Sequence, residues 1–138
     1  MALEITRPWG RASDRTSWRF CGFLTLTNRS STPDRLIAAT SPGVRGVAIC
    51  GIKVVGGRIA MRTLKDGLKI PGETTITMKP RGYHLYFLGY LGSKPRPARG
   101  SKVPVTLTFE HAGEQQILLD VEAPGPIGKE TLHEGVKS

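Results

Sequence analysis

Glycine and proline recur along this chain at intervals of about eight to twelve residues, and this spacing constrains the fold more than any other feature. The sequence contains 17 glycines and 10 prolines in 138 residues. Pairs such as Pro42-Gly43, Gly56-Gly57 and Pro71-Gly72 favour turns, because proline presets one backbone dihedral and glycine accepts a positive φ. The segments between them are too short for most helices. The spacing is typical of short strands joined by turns.

The strand pattern is clearest where apolar and polar residues alternate. In Phe23 to Asn28, leucine alternates with threonine, which predicts that Leu24 and Leu26 face the core. Gly56-Gly57 predicts a hairpin turn between two neighbouring strands. The sequence further predicts this hairpin at Val47 to Val55 and Arg58 to Leu64, a central strand at Tyr83 to Leu91, and a closing hairpin at Val103 to Glu110 and Gln115 to Val121.

The first strand contains a proline. Ile5 to Trp9 is predicted to be extended, with Pro8 confining it to a sheet edge or a strand end. In all, we expect an all-β Greek-key sandwich or barrel of eight or nine short strands over residues 1–122, followed by a flexible tail at 123–138.

Composition narrows the functional classes. No apolar run approaches the roughly 18 residues that span a bilayer. The start of the chain lacks a leader pattern, which fits either a cytoplasmic protein or a mature exported domain. The net charge of +9 suggests nucleic acid, but the cations are scattered and densest at Lys94, Arg96, Arg99 and Lys102, without interleaved aromatics. A soluble basic surface is preferred, and we expect no nucleic-acid partner. No catalytic motif occurs, so we expect no enzyme.

Several segments, read in order, resemble the periplasmic copper chaperone (PCuAC) family. The resemblance lies in Ile5 to Ala12 with its Pro-Trp-x-Arg core, in Phe23 to Asn28, in Asp34-Arg35-Leu36 with Ser41-Pro42, in Gly67 to Gly72, in Lys79 to His84 and in Val103 to Phe109. It implies a cupredoxin-like fold, a periplasmic location and an exposed copper(I) site. It also implies a copper-receiving partner such as the copper subunit of cytochrome c oxidase.

The resemblance also implies a ligand set, which is partly rewritten in this chain. The family's His, Met and His-x-Met ligands correspond to Cys50, Met61, His84 and Tyr86. Thiolate, thioether and imidazole suit copper(I), so Cys50, Met61 and His84 are the predicted ligands. A neutral tyrosine is a poor copper(I) ligand, which leaves Tyr86 doubtful.

Two alternatives stay open at the level of sequence. Cys50 is either a free thiol or is bridged to Cys21, and a bridge would remove the thiolate ligand. Alternatively, the metal site has been lost, and Ile52 and Tyr86 form part of a surface that binds a protein partner. His111 is predicted to be exposed in a turn.

Overall fold

The computed structural model describes residues 3–12, 19–80, 82–89 and 97–123, and its regular elements in these ranges are all β-strands. The strands are β1 (Leu3–Ala12), β2 (Phe20–Asn28), β3 (Asp34–Thr40), β4 (Val47–Val55), β5 (Arg58–Thr63), β6 (Leu68–Ile70), β7 (Thr74–Thr77), β8 (His84–Phe87), β9 (Lys102–Phe109) and β10 (Gly113–Val121). The predicted all-β class is confirmed, with ten strands in the described ranges rather than eight or nine.

The strands form one continuous sheet that closes on itself. Its order is β5-β4-β8-β2-β1-β10-β9-β3-β6, and β7 pairs with β2. A further pairing between Ala39 and Val47 joins β3 to β4 and closes a barrel. The neighbours are antiparallel except for β1 and β10, which run parallel. The predicted closing hairpin of β9 and β10 is confirmed.

The core lies inside this barrel and follows the alternation of the strands. Leu24 and Leu26 are buried as predicted. Phe20 and Phe87 meet edge to face with ring centroids 5.0 Å apart, which joins β2 to β8. Burying each such side chain stabilises the fold by about 1.5–3 kcal/mol. Strands β2 and β8 are thus held together by large apolar side chains on their inner face, and β8 carries His84.

Pro8 does not lie at a sheet edge, and that expectation was wrong. Strand β1 is internal, between β2 and β10. Its register against β2 shifts between Thr6 and Trp9, so that two residues face one, and Arg7 has a φ of 54°. Such a β-bulge accommodates a residue without an N–H inside a sheet, because the ladder is interrupted there.

The β4–β5 hairpin extends beyond the strands that support it. Its turn is Gly56-Gly57, with φ of 57° and 80°, as the type I′ turn of a two-residue hairpin requires. Strand β8 pairs with β4 only from Val47 to Cys50. The outer part of the hairpin, residues 51–62, is named here the β4–β5 arm, and β5 is a sheet edge.

Some predicted features lie outside the described residues, and one has different bounds. The tail at 123–138 lies outside the described residues except for Ala123, and so do Lys94 and Arg96 of the basic loop. Strand β8 occupies the predicted central position but is shorter than Tyr83 to Leu91. Within the described ranges no helix is long and apolar enough to cross a bilayer.

Replacing Gly67 tests the tight turn between β5 and β6. Gly67 has a φ of 83°, and an added Cβ would overlap the carbonyl oxygen of Leu36. Gly113 has a φ of 77° with open space around it, which makes it a matched control. We expect Gly67→Ala to lower the free energy of unfolding by at least about 1 kcal/mol more than Gly113→Ala, because overpacking adds to dihedral strain. Urea denaturation measures both, and equal losses would contradict the described turn.

Candidate metal centre

Cys50 and His84 face each other on neighbouring strands. They are direct cross-strand partners in the antiparallel pairing of β4 with β8. Residues opposite each other in such a pair have Cβ atoms about 4.5–5.5 Å apart on the same sheet face. The pairing therefore brings together two residues that are 34 positions apart in the sequence.

Met61 joins the same face from strand β5. Its partner on β4 is Ile52, and Thr63, two residues further along β5, faces Cys50. Met61 is therefore a diagonal neighbour of Cys50, at a separation of about 7–8 Å that a long side chain can bridge. It is half-buried, whereas Cys50 and His84 are buried. The three predicted ligands thus share one face, with the thioether nearest to solvent.

Tyr86 also lies on this face, on the other side of the Cys50–His84 pair from Met61. It is half-buried and pairs with Cys21 of β2 and Ala48 of β4. Burial is the main cause that raises the pKa of Tyr86, and nearby Cys21 adds to it. The phenol therefore stays protonated at neutral pH, which makes it a weak candidate for copper(I).

The imidazole of His84 is held in a defined orientation. Its Nδ1 lies 2.9 Å from the carbonyl oxygen of Gly82. Because a carbonyl oxygen only accepts, Nδ1 donates its hydrogen, and the lone pair of the neutral ring is on Nε2. Burial lowers the pKa of His84, and the hydrogen bond to Gly82 only partly opposes this. The ring is thus neutral near pH 7, the form that can ligate a metal, and the hydrogen bond to Gly82 fixes its orientation.

The Cys50 side chain is a thiol at neutral pH. Removal from water raises the pKa of Cys50, and a hydrogen bond from the Thr63 side chain opposes this in part. A metal ion that binds the sulfur as thiolate must therefore displace a proton. The Thr63 contact was not predicted from the sequence, because it depends on the pairing of β4 with β5.

Cys21 and Cys50 are both free and both buried. They lie on strands β2 and β4, which flank β8, and their partners on β8 are Tyr86 and His84 respectively. Two strand spacings alone separate their Cα atoms by about 10 Å, beyond the roughly 7 Å that a disulfide spans. The structure therefore contains two free thiols and no Cys21–Cys50 disulfide.

An aromatic cluster next to the site was missed by the sequence analysis. Phe23 is buried on the face of β2 that points away from the core, and its ring lies 4.6 Å from that of Trp9 and 6.4 Å from that of His84, between centroids. The guanidinium groups of Arg7 and Arg11 lie over the Trp9 ring at 5.7 and 5.3 Å. The available signal was that Cys21 and Phe23 make the first half of β2 apolar in both alternating sets, which indicates a strand covered on both faces there.

The arrangement suits a soft metal ion better than a hard one. Among the described residues, no group of three or more His, Cys, Asp and Glu side chains could hold a metal. A metal site with three protein ligands at Cys50 and His84 would therefore have to include the sulfur of Met61. A set of thiol, thioether and imidazole without carboxylate matches copper(I).

Thiol counting tests the state of the cysteines. We expect the protein purified without reductant to give two reactive thiols after denaturation, because both are free. In the native protein both should react slowly at neutral pH, since burial raises the pKa of each thiol. The rate at Cys50 should increase as the pH is raised. An intact mass that shows an internal disulfide would contradict this geometry.

The neutral state of His84 predicts a pH dependence of stability. The unfolded state binds a proton below about pH 6.5, while the folded state resists protonation because burial lowers the pKa of His84. Stability should therefore fall as the pH drops below 6.5 and level off below the folded pKa, with a slope of up to about 1.4 kcal/mol per pH unit. In urea titrations across this range, His84→Leu should flatten the slope. An identical slope in the variant would show that His84 is not the group responsible.

Comparison with known proteins places this chain in a family. The family model described as "Putative lipoprotein LpqE-like" matches residues 3–121. "Putative lipoprotein Lxx21020" of Leifsonia xyli subsp. xyli (strain CTCB07) is 23% identical over 120 residues, covering 87% of this chain and 69% of that protein.

Solved structures of PCuAC domains have the same fold as this chain. The copper-bound PCuAC domain from PmoF2 is 29% identical with a TM-score of 0.70, over 90% of this chain and 95% of that chain. The CuI form of DR1885 from Deinococcus radiodurans is 25% identical with a TM-score of 0.67, over 88% and 80% of the two chains. These likenesses confirm the cupredoxin-like fold. The chain belongs to the LpqE-like family, and its fold is that of a PCuAC domain.

Proposed function

We propose that this protein binds copper(I) through Cys50, Met61 and His84 and passes it to another protein without catalytic turnover. The observation that carries the proposal is the placement of these three residues on one sheet face, in neighbouring or diagonal positions. Among the solved structures with this fold, one is described as copper-bound and another as a CuI form. The ligand set proposed here differs from the family pattern at two positions, because Cys50 replaces a histidine and Tyr86 replaces the last methionine.

Ligand exchange is the chemistry that fits this site. Copper(I) has no strong geometric demand, and three ligands leave room for an incoming thiol or thioether. Met61 is half-buried, so its side of the site is the one a partner can reach. Cys50 loses its proton when copper binds, and reprotonation on release returns the buried thiol. The protein's residues thus hold and release the ion, and no bond of a substrate is broken.

The cellular setting is also a proposal. The family description and the related Leifsonia xyli protein both carry the word lipoprotein, which supports an exported protein held at a membrane. In that setting the periplasm is the proposed location. The proposed recipient is a copper protein such as the copper subunit of cytochrome c oxidase.

A non-metal interaction domain is the second candidate, and exposed apolar residues near the site favour it. Ile52 lies on the same strand face as Cys50 and is 39% exposed. Apolar side chains in the centre of a protein interface stabilise the complex without any metal. This candidate predicts partner binding that is independent of Cys50, Met61 and His84, whereas the copper proposal requires all three.

Copper(I) titration against a competing chelator tests the proposal. We expect the reduced protein to bind one copper(I), and Cys50→Ala, Met61→Leu and His84→Leu each to weaken binding at least about tenfold, equivalent to about 1.4 kcal/mol. His111→Ala is the matched control, because His111 is exposed and lies in the turn between β9 and β10, distant in the sheet from these ligands. Tyr86→Phe should also bind normally.

Two results would sink the copper site as described. One is wild-type affinity no greater than that of a triple variant lacking all three side chains. The other is equal weakening by His111→Ala, which would indicate adventitious binding. Far-UV circular dichroism of each variant shows whether the fold is retained.

A further inference from the structure

The tip of the β4–β5 arm exposes apolar side chains on both of its faces. Val54 is 66% exposed and Val55 is 53% exposed, and consecutive strand residues point to opposite faces. The turn Gly56-Gly57 follows immediately, and an added Cβ at either glycine would meet no atom within 4 Å. A tip that is apolar on both faces suits insertion into an apolar environment that surrounds it better than docking on a flat protein surface, which would cover only one face.

Positive charge lies beside this tip, on the face of the arm that carries Val55. From Arg35 to Lys65 the sequence contains six Lys or Arg residues and no Asp or Glu. Three of the six, Lys53, Arg58 and Arg62, are exposed on the arm, and Arg58 pairs with Val55 at the tip. Cations beside exposed apolar residues are the combination that binds to anionic bilayer surfaces.

We propose that the β4–β5 arm inserts Val54 and Val55 into the interface of an anionic lipid bilayer, with Lys53, Arg58 and Arg62 contacting headgroup phosphates. A second copy of the chain is a poor occupant, since each copy carries a net charge of +9 and the same cations on its arm. The arm projects past the end of β8, so its tip can reach a surface without moving the barrel.

Insertion would set the height of the metal centre. Cys50 lies four residues before Val54 on the same strand, which corresponds to about 13 Å along β4. The face that carries Cys50, Met61 and His84 would then be held just above the headgroups. A copper protein embedded in the same membrane would meet it there.

The proposal does not depend on copper binding. It can be tested on the full, unlipidated chain, so an attached lipid does not contribute to the result. The probe is vesicles of equal parts phosphatidylglycerol and phosphatidylcholine, compared with vesicles of phosphatidylcholine alone, in a sedimentation assay at low and high salt.

Three variants distinguish insertion of the arm from electrostatic attraction of the whole basic protein to anionic lipid. The double variant Val54→Asp/Val55→Asp should lower affinity for the anionic vesicles at least about tenfold, because it removes the apolar tip and adds negative charge. Leu118→Asp is the matched control, since Leu118 is also 53% exposed but lies on β10. It should bind close to the wild type. Lys53→Gln/Arg58→Gln should weaken binding and reduce its salt dependence.

Several results would overturn the proposal. These are no sedimentation with anionic vesicles, equal loss in Leu118→Asp, and unchanged binding by the Val54→Asp/Val55→Asp variant. If that double variant binds vesicles normally but no longer accepts an acidic partner protein, the arm is a protein-docking surface instead. All three variants change exposed side chains, and melting temperatures equal to that of the wild type would show that the fold is intact. Failure of the copper titration alone would leave lipid binding standing.

Discussion

The antiparallel pairing of β8 between β4 and β2 is the constraint on which the rest of the structure depends. It sends Leu85 and Phe87 into the barrel core, and the same alternation turns His84 and Tyr86 to the opposite face. A slip of one residue would exchange the two sets, burying an imidazole in the core and exposing a phenylalanine. The packing that holds the barrel together therefore also fixes which residues meet Cys50.

Burial gives the proposed site its chemical character. His84 is kept neutral, so its ring can ligate a metal, and Cys50 is kept protonated, so binding must release a proton. Phe23 and Trp9 add an apolar cluster beside His84. A soft ion such as copper(I) binds sulfur strongly enough to displace that proton, whereas the three proposed ligands offer no carboxylate to a hard divalent ion.

Much of the fold was accessible from the sequence, because strand alternation and turn residues act locally. The hairpin about Gly56-Gly57 and the inward direction of Leu24 and Leu26 needed no knowledge of distant contacts. The internal position of Pro8 could not be predicted, since it depends on β10 returning to pair with β1 and on a bulge that accommodates the proline.

The candidate site also has features that the sequence predicts and features that depend on distant strand pairing. The family resemblance predicted Cys50, Met61 and His84 as ligands, but it could not say whether Cys21 is bridged to Cys50. That answer depends on β8 lying between the two cysteines, which is a property of the sheet order. The contact of Thr63 with Cys50 and the packing of Phe23 against His84 also arise from pairing between distant segments, and no local pattern encodes them.

X-ray absorption at the copper edge of the copper(I)-loaded protein tests the central claim most directly, because it counts the ligand atoms by element. A site made by Cys50, Met61 and His84 predicts two sulfur atoms and one nitrogen around a three-coordinate ion. In the Cys50→Ser variant, one of the two sulfur contributions should disappear. A spectrum with only nitrogen and oxygen neighbours, or one that Cys50→Ser leaves unchanged, would contradict the account.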